Sequence, residues 1–361
     1  MNPIRKLQDL GQSVWLDNIT REMLRKGTLQ NYIDDYGLSG LTSNPNIFDK
    51  AIEHSDLYDQ DIAKGLSQGE SPEDIFFRLA ISDLREAADL FAPTHRRTAG
   101  VDGWVSLEVS PLLADNTKGS IAAASRLHRQ AQRANVFIKI PGTEAGVPAI
   151  EESIFNGVPI NVTLLFSAEQ YLKAAEAYLR GLERRVTEGL NPEVDSVASI
   201  FVSRWDKKLA DKVPPALKDR VGIAAAAQGY RAYRELLGSD RWQRLANLGA
   251  RPQRLLFAST STKDPSAPDT LYVQALAAPH TVNTMPDETI RAFADHGELK
   301  GPLPVDGGDS GRVLEQLAAA GADPGRTALE LQQEGAKAFD DSWSSLLHCI
   351  EGKADKLKAA S

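Results

Sequence analysis

Short apolar runs alternate along this chain with longer stretches of helical periodicity. Eight of these runs have the length and the valine, isoleucine, leucine and phenylalanine content of β-strands. The predicted strands are residues 13–19, 38–42, 103–109, 136–140, 160–166, 196–202, 254–259 and 281–284. Strands that alternate with helices in this way are typical of βα units built around a parallel sheet.

Two of the intervening stretches begin with clear helix-start signals. Ser167 precedes Ala-Glu-Gln, a capping box that predicts a helix over residues 167–182. Ser71 precedes a proline and two acidic residues, which suit the first turn of a helix. Eight strands with helical crossovers, and no glycine-rich dinucleotide turn, favour a (β/α)8 TIM barrel with additional helices over an open sheet.

Two segments exceed the needs of a minimal barrel. Residues 45–100 contain more than one helical pattern between the second and third strands. Residues 287–361 contain several helical patterns, broken by Gly301-Pro302 and Gly307-Gly308. We expect residues 1–361 to form a single barrel domain, with residues 287–361 including a C-terminal helical extension packed on the barrel. A lid over the site is the alternative role for that extension.

Composition and charge narrow the class of protein. Of the 361 residues, 42% are hydrophobic and 25% are charged, as in ordinary globular proteins. The net charge of -8 argues against general binding of nucleic acid. One cysteine and six scattered histidines predict neither a disulfide framework nor a zinc site. No run has signal-peptide or transmembrane character, so we expect a cytoplasmic protein with no membrane partner.

A single lysine, Lys139, interrupts the apolar strand at residues 136–140. An unpaired ammonium group in a buried strand costs several kcal/mol, so such a group pairs, reaches solvent or gives up its proton. A desolvated lysine amine is a nucleophile that forms Schiff bases with carbonyl compounds. On this segment alone, the alternative is a strand-end amine that reaches solvent or pairs with a carboxylate.

Polar side chains recur at the carboxyl ends of the other predicted strands and in the loops after them. Catalytic groups of such barrels come from these positions. The candidates beside Lys139 are Asp17, Asn44, Glu108, Asn161, Thr163, Ser199, Arg204, Ser259 and Lys263. Their common location at one end of the barrel predicts a preorganised site.

Each candidate also has a purely structural interpretation. Asp17 could cap a helix over residues 19–26, and Asn44 before a proline could simply initiate a turn. Glu108 could balance a nearby lysine. Asn161 and Thr163 could form a hydrogen-bonded layer inside the barrel. The two cations after the sixth and seventh strands could be ordinary surface charges.

Three segments in order resemble one enzyme family. They are residues 41–45 (LTSNP), 137–146 (FIKIPGTEAG) and 161–167 (NVTLLFS). On these motifs the chain resembles transaldolase, a class I aldolase-type enzyme of the pentose phosphate pathway. The resemblance spans about residues 10 to 290 and is weaker in the C-terminal tail.

The resemblance implies roles for the candidate residues. Lys139 would be the Schiff-base nucleophile, and Asp17 would be the general acid–base for carbon–carbon cleavage. Glu108, with a water held by Thr163, would move protons during carbinolamine formation and dehydration. The dihydroxyacetone unit would be held by Asn44, Asn161 and Ser199. The substrate phosphate would be bound by Arg204, Ser259 and Lys263.

The implied reaction transfers dihydroxyacetone from sedoheptulose 7-phosphate to glyceraldehyde 3-phosphate. The products are erythrose 4-phosphate and fructose 6-phosphate, the reaction is reversible, and no metal or organic cofactor is used. The implied partners are small sugar phosphates, and the protein is expected to be a monomer or homodimer. Lys263 departs from the family pattern, because many relatives have arginine there, and a lysine presents a point charge rather than a fork.

Three other hypotheses remain at this point. The enzyme could be a fructose 6-phosphate aldolase that releases free dihydroxyacetone. The barrel could be a catalytically idle module that binds phosphosugars. It could also be an isomerase that uses Glu108 as an enolising base, in which case activity would survive the loss of Lys139.

Overall fold

The chain forms a closed barrel of eight parallel β-strands that follow one another around the barrel in chain order. The computed structural model describes residues 2–359, with the side chains of residues 2–353. This is the predicted (β/α)8, or TIM, barrel. The strands are β1 (Ser13–Leu16), β2 (Gly40–Thr42), β3 (Trp104–Glu108), β4 (Val136–Pro141), β5 (Ile160–Leu165), β6 (Ser196–Phe201), β7 (Gln253–Ala258) and β8 (Val282–Met285).

Helices surround the barrel and extend it at both termini. Among residues 2–359, no helix combines the length and the apolar composition needed to cross a lipid bilayer. The helices are α1 (Pro3–Asp9), α2 (Arg21–Arg25), α3 (Thr28–Tyr36), α4 (Pro45–Glu53), α5 (Asp59–Ser67), α6 (Pro72–Arg97), α7 (Thr117–Ala131), α8 (Gly146–Phe155), α9 (Ala168–Thr187), α10 (Ser203–Leu209), α11 (Val221–Leu237), α12 (Asp240–Asn247), α13 (Leu271–Ala275), α14 (Asp287–His296), α15 (Ser310–Ala319) and α16 (Pro324–Ala359).

All eight predicted strands are present, and their boundaries differ from the prediction by one to three residues at the ends. The largest difference is in β1, which ends at Leu16 rather than at residue 19. The predicted helix starts are confirmed, because the Ser167 hydroxyl accepts a hydrogen bond from the Gln170 backbone N–H at 3.2 Å. Ser71 caps α6 in the same way. Residues 45–100 contain α4, α5 and α6, so this segment does carry more than one helix.

An aromatic layer fills the barrel interior below the carboxyl ends of the strands. The Trp104 and Phe137 rings are stacked with their centroids 4.0 Å apart, and Trp15 lies 6.3 Å from Phe137. A Cβ atom at Gly40 of β2 would lie 2.6 Å from the Trp15 ring, so this close packing requires glycine. Alternate residues of a strand share a face, and therefore Lys139 continues the Phe137 face toward the carboxyl end.

The last helix, α16, packs against the barrel at the carboxyl ends of β4 and β5. The Gln332 side-chain amide donates hydrogen bonds to the Gly142 carbonyl at 3.0 Å and to the Leu164 carbonyl at 2.9 Å. Further along the helix, Trp343 is buried against Phe76 of α6, with ring centroids 5.0 Å apart. Part of the tail therefore covers the end of the barrel at which the candidate residues were predicted.

Candidate active site

Lys139 and Glu108 form a buried ion pair between neighbouring strands. They are register partners in the parallel ladder of β3 and β4, which places their side chains next to each other. The Lys139 Nζ atom lies 3.0 Å from Glu108 Oε2 and also donates to the Ser43 carbonyl at 3.0 Å. Only 5% of Lys139 and 6% of Glu108 is exposed, so this amine does not reach solvent as an ordinary strand-end lysine would.

Burial makes the Glu108 carboxyl a better proton acceptor than an ordinary glutamate. Loss of hydration raises its pKa, and the charge of Lys139 and its hydrogen bond oppose that rise. Glu108 does pair with a lysine, as its structural interpretation predicted. A carboxylate held 3.0 Å from an amine can also take that amine's proton.

Asp17 lies in the turn after β1 and does not cap a helix. The cap of α2 is Thr20, whose hydroxyl accepts a hydrogen bond from the Met23 backbone N–H at 3.0 Å. Asp17 instead accepts a hydrogen bond from the Thr42 hydroxyl at 2.7 Å, and Thr42 Oγ1 lies 2.7 Å from Thr284 Oγ1. The helix-cap alternative for Asp17 is therefore wrong. The Thr42 hydroxyl of β2 orients its carboxylate, and the Thr284 hydroxyl of β8 contacts Thr42.

Burial also raises the pKa of Asp17. The Thr42 hydrogen bond opposes this rise most strongly, followed by the charges of Lys139, Lys263 and Arg204. A raised pKa makes the Asp17 carboxylate a better proton acceptor than an ordinary aspartate, which suits a general acid–base.

Thr163 has a hydroxyl without a hydrogen-bond partner in the part of the chain that the structure describes. The residue is fully buried and lines the same cavity as Lys139. It is the register partner of Pro141 in the β4–β5 ladder, two positions beyond the Lys139–Asn161 pair. Because a buried hydroxyl without a partner is costly, this position is suited to hold a water molecule or a substrate hydroxyl.

Asn161 uses both ends of its amide inside the barrel. Its Nδ2 donates to the Ser106 hydroxyl at 3.2 Å, and its Oδ1 accepts from the Ser199 hydroxyl at 2.7 Å. Ser199 lines the cavity, whereas Asn161 does not. The hydrogen-bonded layer considered from the sequence is therefore present, and in this arrangement Asn161 orients Ser199.

Asn44 has both a structural and a cavity-facing position. Its Oδ1 accepts a hydrogen bond from the Ile47 backbone N–H at 3.1 Å and so caps α4. The side chain also lines the cavity beside Lys139. The turn interpretation of Asn44 is therefore correct, and it fixes the amide at the cavity wall.

Two cations, Arg204 and Lys263, and two loop serines, Ser259 and Ser261, also line the cavity. The Arg204 guanidinium carbon lies 5.1 Å from the centre of the Phe201 ring and 5.6 Å from that of Phe339. Lys263 Nζ lies 2.5 Å from the Ser261 hydroxyl. Burial lowers the pKa of both Arg204 and Lys263, so neither is an ordinary surface charge.

The loop after β7 holds a strained backbone at Ser259. This residue has φ of 57°, in the left-handed region that serine seldom adopts. Its hydroxyl lies 2.8 Å from the Ser203 hydroxyl, and its carbonyl accepts from the Ser203 backbone N–H. These contacts fix the Ser259 side chain at the start of α10, where Arg204 follows.

The structure brings eight of the ten predicted residues to one cavity of about 150 Å³. They are Asp17, Asn44, Lys139, Thr163, Ser199, Arg204, Ser259 and Lys263. Glu108 contacts the cavity through Lys139, and Asn161 through Ser199. Within residues 2–353, no group of three or more histidine, cysteine, aspartate or glutamate side chains is arranged to hold a metal ion.

Sequence reasoning missed several residues of this cavity, namely Thr42, Thr284, Ser261, Phe201 and Phe339. Thr42 lies in the LTSNP segment and Ser261 in the hydroxyl-rich run after β7, so a signal existed for both. Phe339 comes from α16, more than 130 residues from Arg204, and its helical pattern does not differ from that of a core residue.

A larger cavity, of about 1000 Å³, opens at the amino-terminal end of the barrel. Its wall includes Ser13, Arg254 and His280, and it shares no residue with the cavity of Lys139. The larger cavity therefore contains none of the predicted site residues.

The arrangement is suited to covalent carbonyl chemistry. A buried amine lies beside a carboxylate that can take its proton, and a second carboxylate, Asp17, faces the same cavity. Two cations and several hydroxyl groups line the same cavity, a combination suited to charge-assisted hydrogen bonds with an anion such as phosphate.

The sequence matches known proteins over almost its whole length. Residues 14–350 match the family model described as Transaldolase/Fructose-6-phosphate aldolase. The chain is 40% identical over 376 residues to Transaldolase 2 of Nostoc sp., which covers 99% of each chain. It is 42% identical over 362 residues to Transaldolase of Frankia alni, covering 97% of this chain and 96% of that relative. It is 41% identical over 368 residues to Transaldolase of Arthrobacter sp., covering 99% of each.

Proposed function

The chain belongs to the transaldolase/fructose-6-phosphate aldolase family, and from this premise we propose that it transfers a dihydroxyacetone unit between sugar phosphates through a Schiff base on Lys139. The proposed donor is sedoheptulose 7-phosphate and the proposed acceptor is glyceraldehyde 3-phosphate. The products are erythrose 4-phosphate and fructose 6-phosphate, and the reaction runs in both directions. The buried Lys139–Glu108 pair, 3.0 Å apart, is the observation that carries the proposal.

The first stage is attack of Lys139 Nζ on the ketose carbonyl. Glu108 takes a proton from the amine and returns one to the oxygen of the resulting carbinolamine, which then leaves as water. The unpartnered Thr163 hydroxyl supports this assignment, because a water held there would connect Glu108 with the reacting oxygen. The iminium that forms is an electron sink.

The second stage is cleavage of the carbon–carbon bond. Asp17 takes the proton from the hydroxyl on C4, the carbon of the breaking C3–C4 bond that becomes the aldehyde, and the bonding electrons move into the iminium. An aldehyde leaves, and the three remaining carbons stay on Lys139 as an enamine. The Thr42 hydroxyl supports this role, since it holds the Asp17 carboxylate by a hydrogen bond and is itself in contact with the Thr284 hydroxyl.

The third stage is transfer to the acceptor. The enamine carbon attacks the acceptor aldehyde, and Asp17 returns its proton to the new hydroxyl. Hydrolysis of the iminium then releases the product ketose, fructose 6-phosphate, and restores the Lys139 amine. Asn44 and Ser199 are proposed to hold the dihydroxyacetone hydroxyls during the exchange, with Asn161 orienting Ser199.

The phosphate is proposed to bind at the cationic end of the cavity. Arg204 and Lys263 supply the charge, and Ser259 supplies a hydroxyl at a fixed position. Binding there places the sugar carbonyl toward Lys139, because the phosphate is attached at the far end of the ketose.

A coupled assay for transfer tests the proposal. Fructose 6-phosphate with erythrose 4-phosphate should give sedoheptulose 7-phosphate, and fructose 6-phosphate alone should release little free dihydroxyacetone. Rapid release of dihydroxyacetone without an acceptor would instead identify an aldolase. Activity that survives Lys139→Met would favour the isomerase hypothesis, and binding without any turnover would favour the idle barrel.

A further inference from the structure

The C-terminal helix α16 presents one face to the phosphate end of the cavity. Gln332, Gly335 and Phe339 are spaced three and four residues apart, so they lie on the same side of the helix. Gln332 ties that face to the ends of β4 and β5, and Phe339 lines the cavity. Gly335, between them, faces the Arg204 side chain.

The Arg204 guanidinium is positioned by packing. Its carbon lies over the Phe201 ring on β6 and the Phe339 ring on α16, at 5.1 and 5.6 Å. The negative charges that act on it are those of Glu108 and Asp17, and among residues 2–353 no carboxylate forms an ion pair with it. Its N–H groups are thereby left for an anionic ligand, while the rings restrict where the group can lie.

Gly335 sets the distance between α16 and the guanidinium. A Cβ atom at this position would lie 3.0 Å from Arg204 Nη1 and 2.9 Å from Leu164 Cδ2. Both contacts are tighter than side chains normally make, so a methyl group at residue 335 must displace the end of Arg204 or of Leu164. Gly335 lies within α16 and does not have a positive φ, so its backbone conformation does not require glycine. The close approach of Arg204 and Leu164 is the reason that a small residue fits here.

A second set of contacts joins α16 to the helix that carries Arg204. Lys208, one turn after Arg204 on α10, pairs with Glu334 at 2.5 Å and with Glu330 at 3.2 Å. The Lys208 side chain is 15% exposed, so these ion pairs are partly shielded from solvent. The α10–α16 pair therefore behaves as one support for the guanidinium.

We propose that α16 determines the selectivity for phosphorylated substrates, with Gly335 as a positioning residue for Arg204 and Phe339 as a specificity-determining wall. The inference rests on the proposed function, which assigns the substrate phosphate to Arg204. A guanidinium already held at the phosphate position loses less freedom on binding than a mobile one. Displacing it therefore weakens binding of phosphorylated sugars more than binding of sugars without phosphate.

The test compares two glycine-to-alanine changes in the same helix. Gly335→Ala places a methyl group against Arg204, whereas Gly352→Ala places one in open space. Both changes raise helix propensity by similar amounts, so the pair separates the contact from the helix effect. Kinetics are measured with sedoheptulose 7-phosphate as donor and with either glyceraldehyde 3-phosphate or glyceraldehyde as acceptor, so that the product is fructose 6-phosphate or fructose. For a mechanism with a covalent intermediate, kcat/KM for the acceptor reports the acceptor step alone.

For Gly335→Ala we expect the ratio of kcat/KM for glyceraldehyde 3-phosphate to that for glyceraldehyde to fall about tenfold, mainly through KM. Inorganic phosphate should also inhibit the variant more weakly, so its inhibition constant against the phosphorylated acceptor should increase by a similar factor. Gly352→Ala should keep both quantities at the wild-type values. Phe339→Leu, which keeps an apolar wall but removes the ring beside Arg204, should lower the ratio in the same direction and serves if Gly335→Ala does not fold.

The outcomes separate this inference from the proposed function. A wild-type enzyme without any preference for the phosphorylated acceptor overturns the phosphate assignment, and this inference with it. A wild-type preference that persists in both Gly335→Ala and Phe339→Leu overturns this inference alone. Equal loss in Gly335→Ala and Gly352→Ala also overturns it, because the effect would then come from the helix and not from the contact with Arg204.

Discussion

Glu108 and Lys139 are register partners in β3 and β4, and their side chains meet at 3.0 Å inside the barrel. Neighbouring strands of a parallel sheet hold such partners at a fixed separation, so the distance does not depend on a flexible loop. In the proposed mechanism, the proton that leaves the Lys139 amine therefore has an acceptor in place before substrate binds. This is the preorganisation that rapid proton transfer requires.

Glu108→Gln should lower kcat by a factor of about 10² to 10⁴, because the amide cannot accept the proton of Lys139. Substrate KM should change much less, since Glu108 reaches the cavity only through Lys139. Stopped-flow measurement of the covalent step checks this. Glu144→Gln is the matched control, because Glu144 is exposed and lies in the loop just after β4. A Glu108→Gln enzyme with wild-type kcat would contradict the role.

Thr42→Val should shift the acid limb of the pH–rate profile to higher pH. The Thr42 hydrogen bond is the strongest of the influences that lower the Asp17 pKa, and burial raises it. Without the hydroxyl the folded-state pKa rises further, so more alkaline conditions are needed to ionise the base. Thr281→Val is the control, because Thr281 is also buried but directly precedes β8, at the opposite end of that strand from Asp17. An unchanged acid limb in Thr42→Val would contradict the assignment of Asp17.

Lys263→Ala should raise KM for phosphorylated sugars about tenfold or more, with a smaller effect on kcat, because it removes a partly desolvated charge from the phosphate end. The remaining dependence of KM on ionic strength should also become weaker. Lys207→Ala removes an exposed lysine from the neighbouring helix and should leave KM nearly unchanged. Equal effects of the two substitutions would mean that general electrostatic attraction, and not a defined site, binds the phosphate.

Asp206 makes folding stability depend on pH in a predictable direction. Burial raises its pKa to about 6 from 3.8, against hydrogen bonds from Tyr272 and from the backbone N–H groups of Gly222 and Val221. The folded state thus binds more protons than the unfolded state between these values, and stability falls as pH rises from about 4 to 6. Asp206→Asn lacks this loss. Relative to the variant, the wild-type free energy of unfolding should decrease by on the order of 3 kcal/mol from pH 4 to pH 7.

Urea unfolding of both proteins at several pH values measures this difference. The comparison of wild type with variant cancels the titration of the other carboxylates, which both proteins share. A constant difference across the range would show that the Asp206 carboxyl has the same pKa in the folded and unfolded states.

The strand pattern predicted the barrel and most of the site because both depend on local periodicity. Lys139 stands out as the single charged residue in an apolar strand. The two-residue period of a strand also places Thr163 on the same face as Asn161. The sequence could not decide between helix cap and catalytic acid for Asp17, since the deciding fact is that Thr20 caps α2 instead.

The remaining features depend on distance in space rather than on position in the chain. Thr42 of β2 and Thr284 of β8 are in contact although β1 lies between these two strands. A threonine in a predicted strand does not indicate that it has such a partner. Phe339 reaches the cavity only because α16 crosses the end of the barrel. Asn161 faces the barrel interior, but its side-chain amide is hydrogen-bonded to Ser106 and Ser199.

Covalent trapping of the donor sugar tests the central proposal most directly. The enzyme is incubated with fructose 6-phosphate and no acceptor, reduced with borohydride, digested and analysed by peptide mass spectrometry, with Lys139→Met as the control. The account predicts a dihydroxyacetone-derived adduct on the peptide that contains Lys139, a matching loss of activity, and no adduct in the control. An adduct on another lysine, such as Lys263, or full transfer activity in Lys139→Met, would contradict it.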